Sequence, residues 1–246
     1  SAASDVYKRQ MLGSPFAFAA GIPAKTVEKY DETFDVVVIG SGFAGLACAL
    51  KAGRGGKKVL VIEKMTVLGG NSAICGGNVA CPVNPVQKAQ GIKDSKELFI
   101  EDCLKDGLGI NHTELLATIA DRCNDTIKMV EDLGCEFVPN KMLFEGGHSV
   151  PRSYEIKAGS GSGYIRPMLA ALEKEPNVTI RAKTKFDDFI VDDDNNVVGI
   201  VCRENYRFNT KLTSDDLENK TGKKKVIRAT KGVMSVSYTH LTLPTK

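Results

Sequence analysis

Gly40-Ser41-Gly42-Phe43-Ala44-Gly45 carries glycine at its first, third and sixth positions, and Glu63 stands 18 residues beyond the last of them. Residues of these types at this spacing bind a ligand rather than attack one. Gly40 permits a tight turn, Gly42 lets a diphosphate approach the backbone, and Gly45 lets a helix pack on a strand. The helix start offers free N–H groups and a partial positive charge to the diphosphate. Glu63 is placed to accept hydrogen bonds from an adenosine ribose, and its charge disfavours a 2′-phosphate, hence NADP. The six-residue pattern alone does not separate FAD from NAD. A second cluster narrows the choice: Gly69-Gly70-Asn71-Ser72, then Gly76-Gly77-Asn78. Two Gly-Gly pairs in nine residues are costly in a packed element and suit backbone lying against a flat ligand or a phosphate.

Other reactive side chains are sparse. Gly146-Gly147-His148-Ser149-Val150-Pro151-Arg152-Ser153 joins His and Arg in a glycine-led loop, and Gly159-Ser160-Gly161-Ser162-Gly163 follows. His148 and Arg152 are therefore candidate catalytic residues, positioning an anionic substrate or shielding a cofactor; the alternative is a plain connector. The Gly-Ser run would receive an anion at a helix start. Seven cysteines are scattered with no Cys-x-x-Cys, which excludes zinc ribbons and thioredoxin-like pairs. Most are expected to be small buried hydrophobes; buried packing is also the expectation for Cys75, with a place beside a bound cofactor as the alternative. No metal site is expected. His112 reads as a surface residue at a helix start. The acidic run 192–196 and the basic run 223–225 read as solvated surface. The basic run has no interleaved aromatics, so nucleic acid is not an expected partner.

These side chains need a frame. Residues 34–39 and 58–62 are β-branched runs typical of buried strands, and 46–52 between them reads as a helix closed by Gly53, Gly55 and Gly56. Asp94-Ser95-Lys96-Glu97 has capping-box form and opens one amphipathic helix. Asn111-His112-Thr113-Glu114 opens another, whose stripe is Leu116, Ile119, Cys123, Ile127, Val130 and Leu133, with Gly134 as its stop. A further helix is predicted over about 164–173. Strands are predicted at 178–182, 186–191, 197–203 and, after a polar insertion, 223–227.

The chain has 246 residues, of which 42% are hydrophobic and 26% charged, so it is long enough for a sizeable core and is not disordered in composition. Its net charge of +3 gives no reason to expect a polyanionic partner. No apolar run approaches the ~18 residues of a membrane span. Residues 11–20 are apolar and rich in small residues, with Lys8 and Arg9 before them and Ala17-Phe18-Ala19 in the form of a cleavage site. This segment reads as the tail of an export signal, so a periplasmic location is expected, with a cytoplasmic one if the segment is only an irregular arm. Residues 1–10 and 234–246 do not fit the remainder and read as non-native. The expected organisation is a signal remnant and linker at 1–32, one binding domain at 33–233, and an atypical tail at 234–246.

The stretch 36–78 resembles the FAD-binding domain of the fumarate reductase and succinate dehydrogenase flavoprotein superfamily. It is most similar to the soluble flavocytochrome c fumarate reductases and urocanate reductases, and the resemblance runs more loosely to about residue 233. It implies an α/β, Rossmann-like domain, a parallel sheet with an inserted β-meander and flanking helices, cut short before a capping or clamp domain. It implies FAD contacts from Gly40, Gly42, Ala44, Gly45, Glu63, Lys64, Gly69, Gly70, Asn71, Ser72, Gly76 and Gly77, with Gly77 also bordering the substrate and backbone near Lys185 touching the adenine. Membrane-bound members attach FAD through a His in the segment that Ser72–Cys75 occupies here; with no His present, the resemblance implies non-covalent FAD. It further implies a flavin-dependent oxidoreductase that delivers hydride to an activated C=C bond of a small acceptor such as a dicarboxylate. A haem-containing or quinol donor would supply the electrons. A ketosteroid dehydrogenase, an aspartate oxidase, or a FAD-binding module without turnover of its own are the alternatives. The family's proton-donating arginine belongs to the clamp and has no counterpart that can be placed in this sequence.

Overall fold

In the computed structural model, residues 21–212 and 218–236 are described. The export-signal reading of 11–20, the segment 1–10 and the tail from residue 237 lie outside them. Strand β1 (Ile22–Pro23) is followed by β2 (Glu32–Ile39), helix α1 (Phe43–Arg54) and β3 (Val59–Ile62). Three short elements come next: α2 (Gly70–Ile74), β4 (Val79–Ala80) and α3 (Pro85–Ala89). The helices α4 (Lys96–Asp106) and α5 (Thr113–Asp132) pack together, and β5 (Ser153–Tyr154) leads to α6 (Ser162–Leu172). The chain then runs through β6 (Val178–Arg181), β7 (Thr184–Val191), β8 (Val197–Glu204) and β9 (Lys223–Ser235).

Seven strands form one sheet in the order β1-β7-β8-β9-β2-β3-β6. β9, β2, β3 and β6 are parallel, while β7, β8 and β9 form an antiparallel meander. β9 is the join. Its first half pairs with β8 and its second with β2, as far as Ile39 opposite Ser235. The strand therefore continues beyond 227 and beyond residue 233, because β2 offers it a partner: Val236 N–H still donates to the Ile39 carbonyl at 3.1 Å. Alternation along the parallel strands sorts the core. Val37, Ile39, Leu60 and Ile62 join Ile200 and Ile227 on one face, whereas Val38, Val59 and Val61 meet Leu46, Leu50, Met168 and Leu172 of α1 and α6 on the other.

Two expectations at helix level shift. The N-cap of α4 is Ser95, whose Oγ accepts from Leu98 N–H at 3.0 Å; Asp94 is withdrawn from capping by an ion pair with Arg152. On α5, Ala120 takes the buried position beside Leu116, and Ile119 is 49% exposed. The buried stripe follows the groove against α4 and β4 rather than the nearest hydrophobic residue.

Candidate cofactor site

β2 hands the chain to Gly40, which adopts φ +106° and donates to the Ile62 carbonyl at 2.9 Å. α1 begins at Gly42, which has no side chain to cap it. A Cβ on Gly45 would lie 2.1 Å from the Gly40 carbonyl oxygen, so any side chain there would drive the helix off the turn. The start of α1 thus faces outward with backbone donors, the arrangement that receives a diphosphate.

Ser41, the variable position between the first two glycines, is 0% exposed and holds two parts of the site together. Its Oγ donates to Glu63 Oε2 at 2.7 Å and accepts from Gly69 N–H at 2.9 Å. Its own N–H also donates to Glu63 Oε2, at 3.1 Å, and Met65 N–H donates to Oε1 at 2.9 Å. Glu63 is 8% exposed at the end of β3. A carboxylate has about four lone-pair positions, and three are filled, so the remaining one on Oε1 is available to a ribose hydroxyl.

The second glycine cluster docks on the first. Gly69 takes φ +105°, and Ser72 Oγ accepts from Phe43 N–H at 3.1 Å. A third segment completes the wall. Gly161 N–H donates to the Cys75 carbonyl at 2.8 Å, and a Cβ on Gly161 would stand 1.8 Å from the Ser72 carbonyl oxygen. Gly77 adopts φ +81°, and a Cβ there would come within 2.9 Å of Gly161 N. Tyr164 OH donates to the Gly77 carbonyl at 2.7 Å, and its ring meets Phe43 edge-on at 5.7 Å. Burial raises the Tyr164 phenol well above its ordinary value, so it remains a donor. Gly161, inside the Gly-Ser run of 159–163, therefore serves close backbone packing. Gly76 has open space around it, Gly70 takes φ +50°, and Cys75 is exposed rather than packed in the core, because α2 ends on the open side of the wall.

Around Glu63, Thr184 N–H donates to the Glu63 carbonyl at 2.8 Å and Lys183 N–H to the Met65 carbonyl at 3.1 Å. This brings the backbone before Lys185 beside Glu63. The Lys185 side chain turns the other way, toward Asp187 Oδ1 at 3.1 Å. Lys64 directs its ammonium to the Phe208 ring, 5.7 Å from its centroid.

The structure does not give Arg152 a substrate-facing place. It is 0% exposed and pairs with Asp94 at 2.8 Å and Asp102 at 2.7 Å. His148 Nδ1 lies 3.1 Å from its NH1, and the His148 ring stacks on Phe99. Burial and the Arg152 charge hold the His148 imidazole below its ordinary value. The cluster braces the loop before β5, which pairs with β4 just beyond Gly77. As a candidate for catalysis, Arg152 is thus corrected to a buried brace, and half-buried His148 stands beside it. A loop of Gly, His and Arg looks the same in sequence whichever way its arginine points. Reading the motifs alone also passes over Ser41 and Tyr164; Ser41 was in plain view inside the fingerprint, and Tyr164 had no signal beyond its place at a helix start.

Among the described residues no group of His, Cys, Asp and Glu is placed to hold a metal, and no helix is long and apolar enough to cross a membrane.

A glycine-turned helix start whose first N–H is met by Ser72 Oγ, a buried carboxylate at the end of β3 and glycine positions that exclude Cβ atoms define a Rossmann-like dinucleotide-binding domain, and they fit FAD. The comparisons agree. Residues 35–245 match the FAD binding domain family, so the chain belongs to it, and the match runs past residue 233. The chain is 40% identical over 228 residues to the acrylate reductase flavoprotein subunit of Shewanella woodyi, covering 90% of this chain and 44% of that protein. It is 35% identical over 167 residues to the urocanate reductase of Eggerthella lenta, covering 68% of this chain and 27% of that protein. The open conformation of a flavocytochrome c3 fumarate reductase superposes with a TM-score of 0.71 at 26% identity, over 95% of this chain and 36% of that one. The chain thus spans less than half the length of the relatives it matches.

Proposed function

We propose that the protein carrying this domain reduces the activated C=C bond of a small unsaturated acid of the acrylate, fumarate or urocanate kind. The observation that carries the reading is the 40% identity, sustained over 90% of the chain, to an acrylate reductase flavoprotein subunit. Bound FAD supplies hydride chemistry at its flavin ring. The residues of this chain bind and orient it. Gly40, Gly42, Ala44 and Gly45 present the helix start to the diphosphate, and Glu63 holds the ribose. Lys64 and backbone before Lys185 flank the adenosine. Gly69, Gly70, Asn71, Ser72, Gly76 and Gly77 line the diphosphate and flavin. The Gly77 backbone, fixed by Tyr164, borders the substrate. The segment 72–75 contains no His, so FAD is held without a covalent bond. Proton donation and carboxylate binding fall to a clamp domain outside the matched part of the relatives. Electrons arrive from a haem-containing or quinol donor, and the protein works after export.

The test compares a full-length protein containing this domain with the FAD-loaded chain. Oxidation of a reduced viologen dye is followed with acrylate, fumarate and urocanate as acceptors. The full-length protein should reduce at least one, and the chain alone none, because positioned acid catalysis is worth about 10²–10⁴ in rate. Turnover by the chain within tenfold of the full-length protein would show that the clamp is dispensable. A full-length protein inert toward all three would overturn the substrate class.

A further inference from the structure

The connection between β8 and β9, residues 205–222, is far longer than the two-residue turn that suffices for adjacent antiparallel strands. Its described part is not a slack loop. Asn219 is buried and its Nδ2 donates to the Arg207 carbonyl at 2.7 Å. Arg207 N–H donates to Thr221 Oγ1 at 3.0 Å, and Arg203 NH1 to the Asn219 carbonyl at 2.7 Å. Tyr206 is buried, with the Arg203 guanidinium 5.3 Å from its ring centroid. Tyr206 N–H donates to the Lys183 carbonyl at 2.8 Å. That last bond fastens the connection to the segment whose next N–H groups bond Glu63 and Met65. A hydrogen-bonded scaffold anchored on buried Tyr206 and Asn219 therefore fixes this loop to the adenosine end of the site.

The scaffold carries Phe208, 43% exposed, beside Lys64, which immediately follows Glu63. A half-exposed apolar ring held in place by a hydrogen-bonded loop is matched to a flat ligand face, and the ligand held by Glu63 ends in a purine. We propose that Phe208 is a wall of the adenosine subsite and packs its ring against the adenine of bound FAD. The proposal rests on the FAD reading above.

The full chain is compared with Phe208→Ala and Phe208→Trp. FAD binding is followed by flavin fluorescence and ADP binding by calorimetry. Phe208→Ala should weaken FAD and ADP in parallel by about tenfold, within the range of a base–aromatic stack, while Phe208→Trp binds both like the parent. The cofactor-free melting temperature should stay unchanged, since the ring is half in water. Unchanged FAD affinity in Phe208→Ala would overturn the proposal. So would weakened FAD with unchanged ADP, which places the effect at the flavin end, or a fall of several degrees in melting temperature, which makes the ring structural. A parent chain that binds neither FAD nor ADP would sink the FAD reading, and this proposal with it.

Discussion

Replacing Ser41 by Ala removes a single oxygen from a fully buried position, and that oxygen serves two segments at once. Glu63 Oε2 loses its shortest hydrogen bond and keeps the Ser41 N–H; Gly69 N–H loses its acceptor where water does not reach. A hydrogen bond to a charged group is worth about 1.5–3 kcal/mol, and an orphaned buried donor costs about 1–3 kcal/mol. The two terms share one atom and do not add in full, so a loss of about 3 kcal/mol of folding stability is expected. Cofactor affinity should fall as well, because Glu63 and the start of α2 lose their common tether. The chain contains no Trp, so unfolding in urea is followed by circular dichroism and FAD binding by flavin fluorescence. Ser41→Ala within about 1 kcal/mol of the parent, with unchanged FAD affinity, would refute the idea that this hydroxyl couples the two glycine clusters.

Gly161→Ala should destabilise the chain by several kcal/mol and weaken FAD, because its Cβ meets the Ser72 carbonyl; Gly146→Ala, in open space, should stay within about 0.5 kcal/mol in the same melts. Arg152→Met leaves Asp94 and Asp102 buried without a counter-ion and should cost about 3–5 kcal/mol in urea unfolding, with FAD affinity affected only through stability. Acid should act in two stages on the melting temperature. His148 is held below 6.5, so the unfolded chain takes up its proton first and stability falls as pH drops through that value. Burial raises the Asp102 carboxyl, but hydrogen bonds from Ser149 and the pairing with Arg152 outweigh it and hold it below 3.8, so a second loss follows below that pH. Acid precipitation of the FAD-loaded chain should leave the yellow colour in the supernatant; fluorescent flavin retained on a denaturing gel would contradict non-covalent binding.

What was legible in the sequence was whatever depends on near neighbours. The fingerprint, the strands on either side of it and the acid that closes β3 fall within about thirty residues, and the structure assembles them as their spacing requires. The helix start at α4 was misplaced by one residue because Asp94 answers to Arg152, 58 positions away. Arg152 looked catalytic for the complementary reason: neither of its carboxylate partners is near it in sequence. The far end of β9 was lost because its second half is selected by β2 rather than by its own pattern. Ile119 was assigned to the core by period alone, while the groove it would have filled accepts Ala120.

The interlock of residues 40–45, 69–77 and 159–163 bears on the order in which the site comes into being. Gly161 is separated from Gly40 by about 120 residues, and bringing such distant segments together is an entropic loss that only later contacts recover. Until residues 161–164 have docked, Ser72 lacks the backbone that packs against it and the Gly77 carbonyl lacks its donor, so the first two glycine clusters have no finished wall between them. FAD is then expected to add little as a template for the early part of the chain. It binds the frame closed by α6, and it stabilises that closed state with the logarithm of its free concentration once that exceeds its dissociation constant. A ribosome-bound chain that exposes the fingerprint but not α6 should be unable to retain the cofactor.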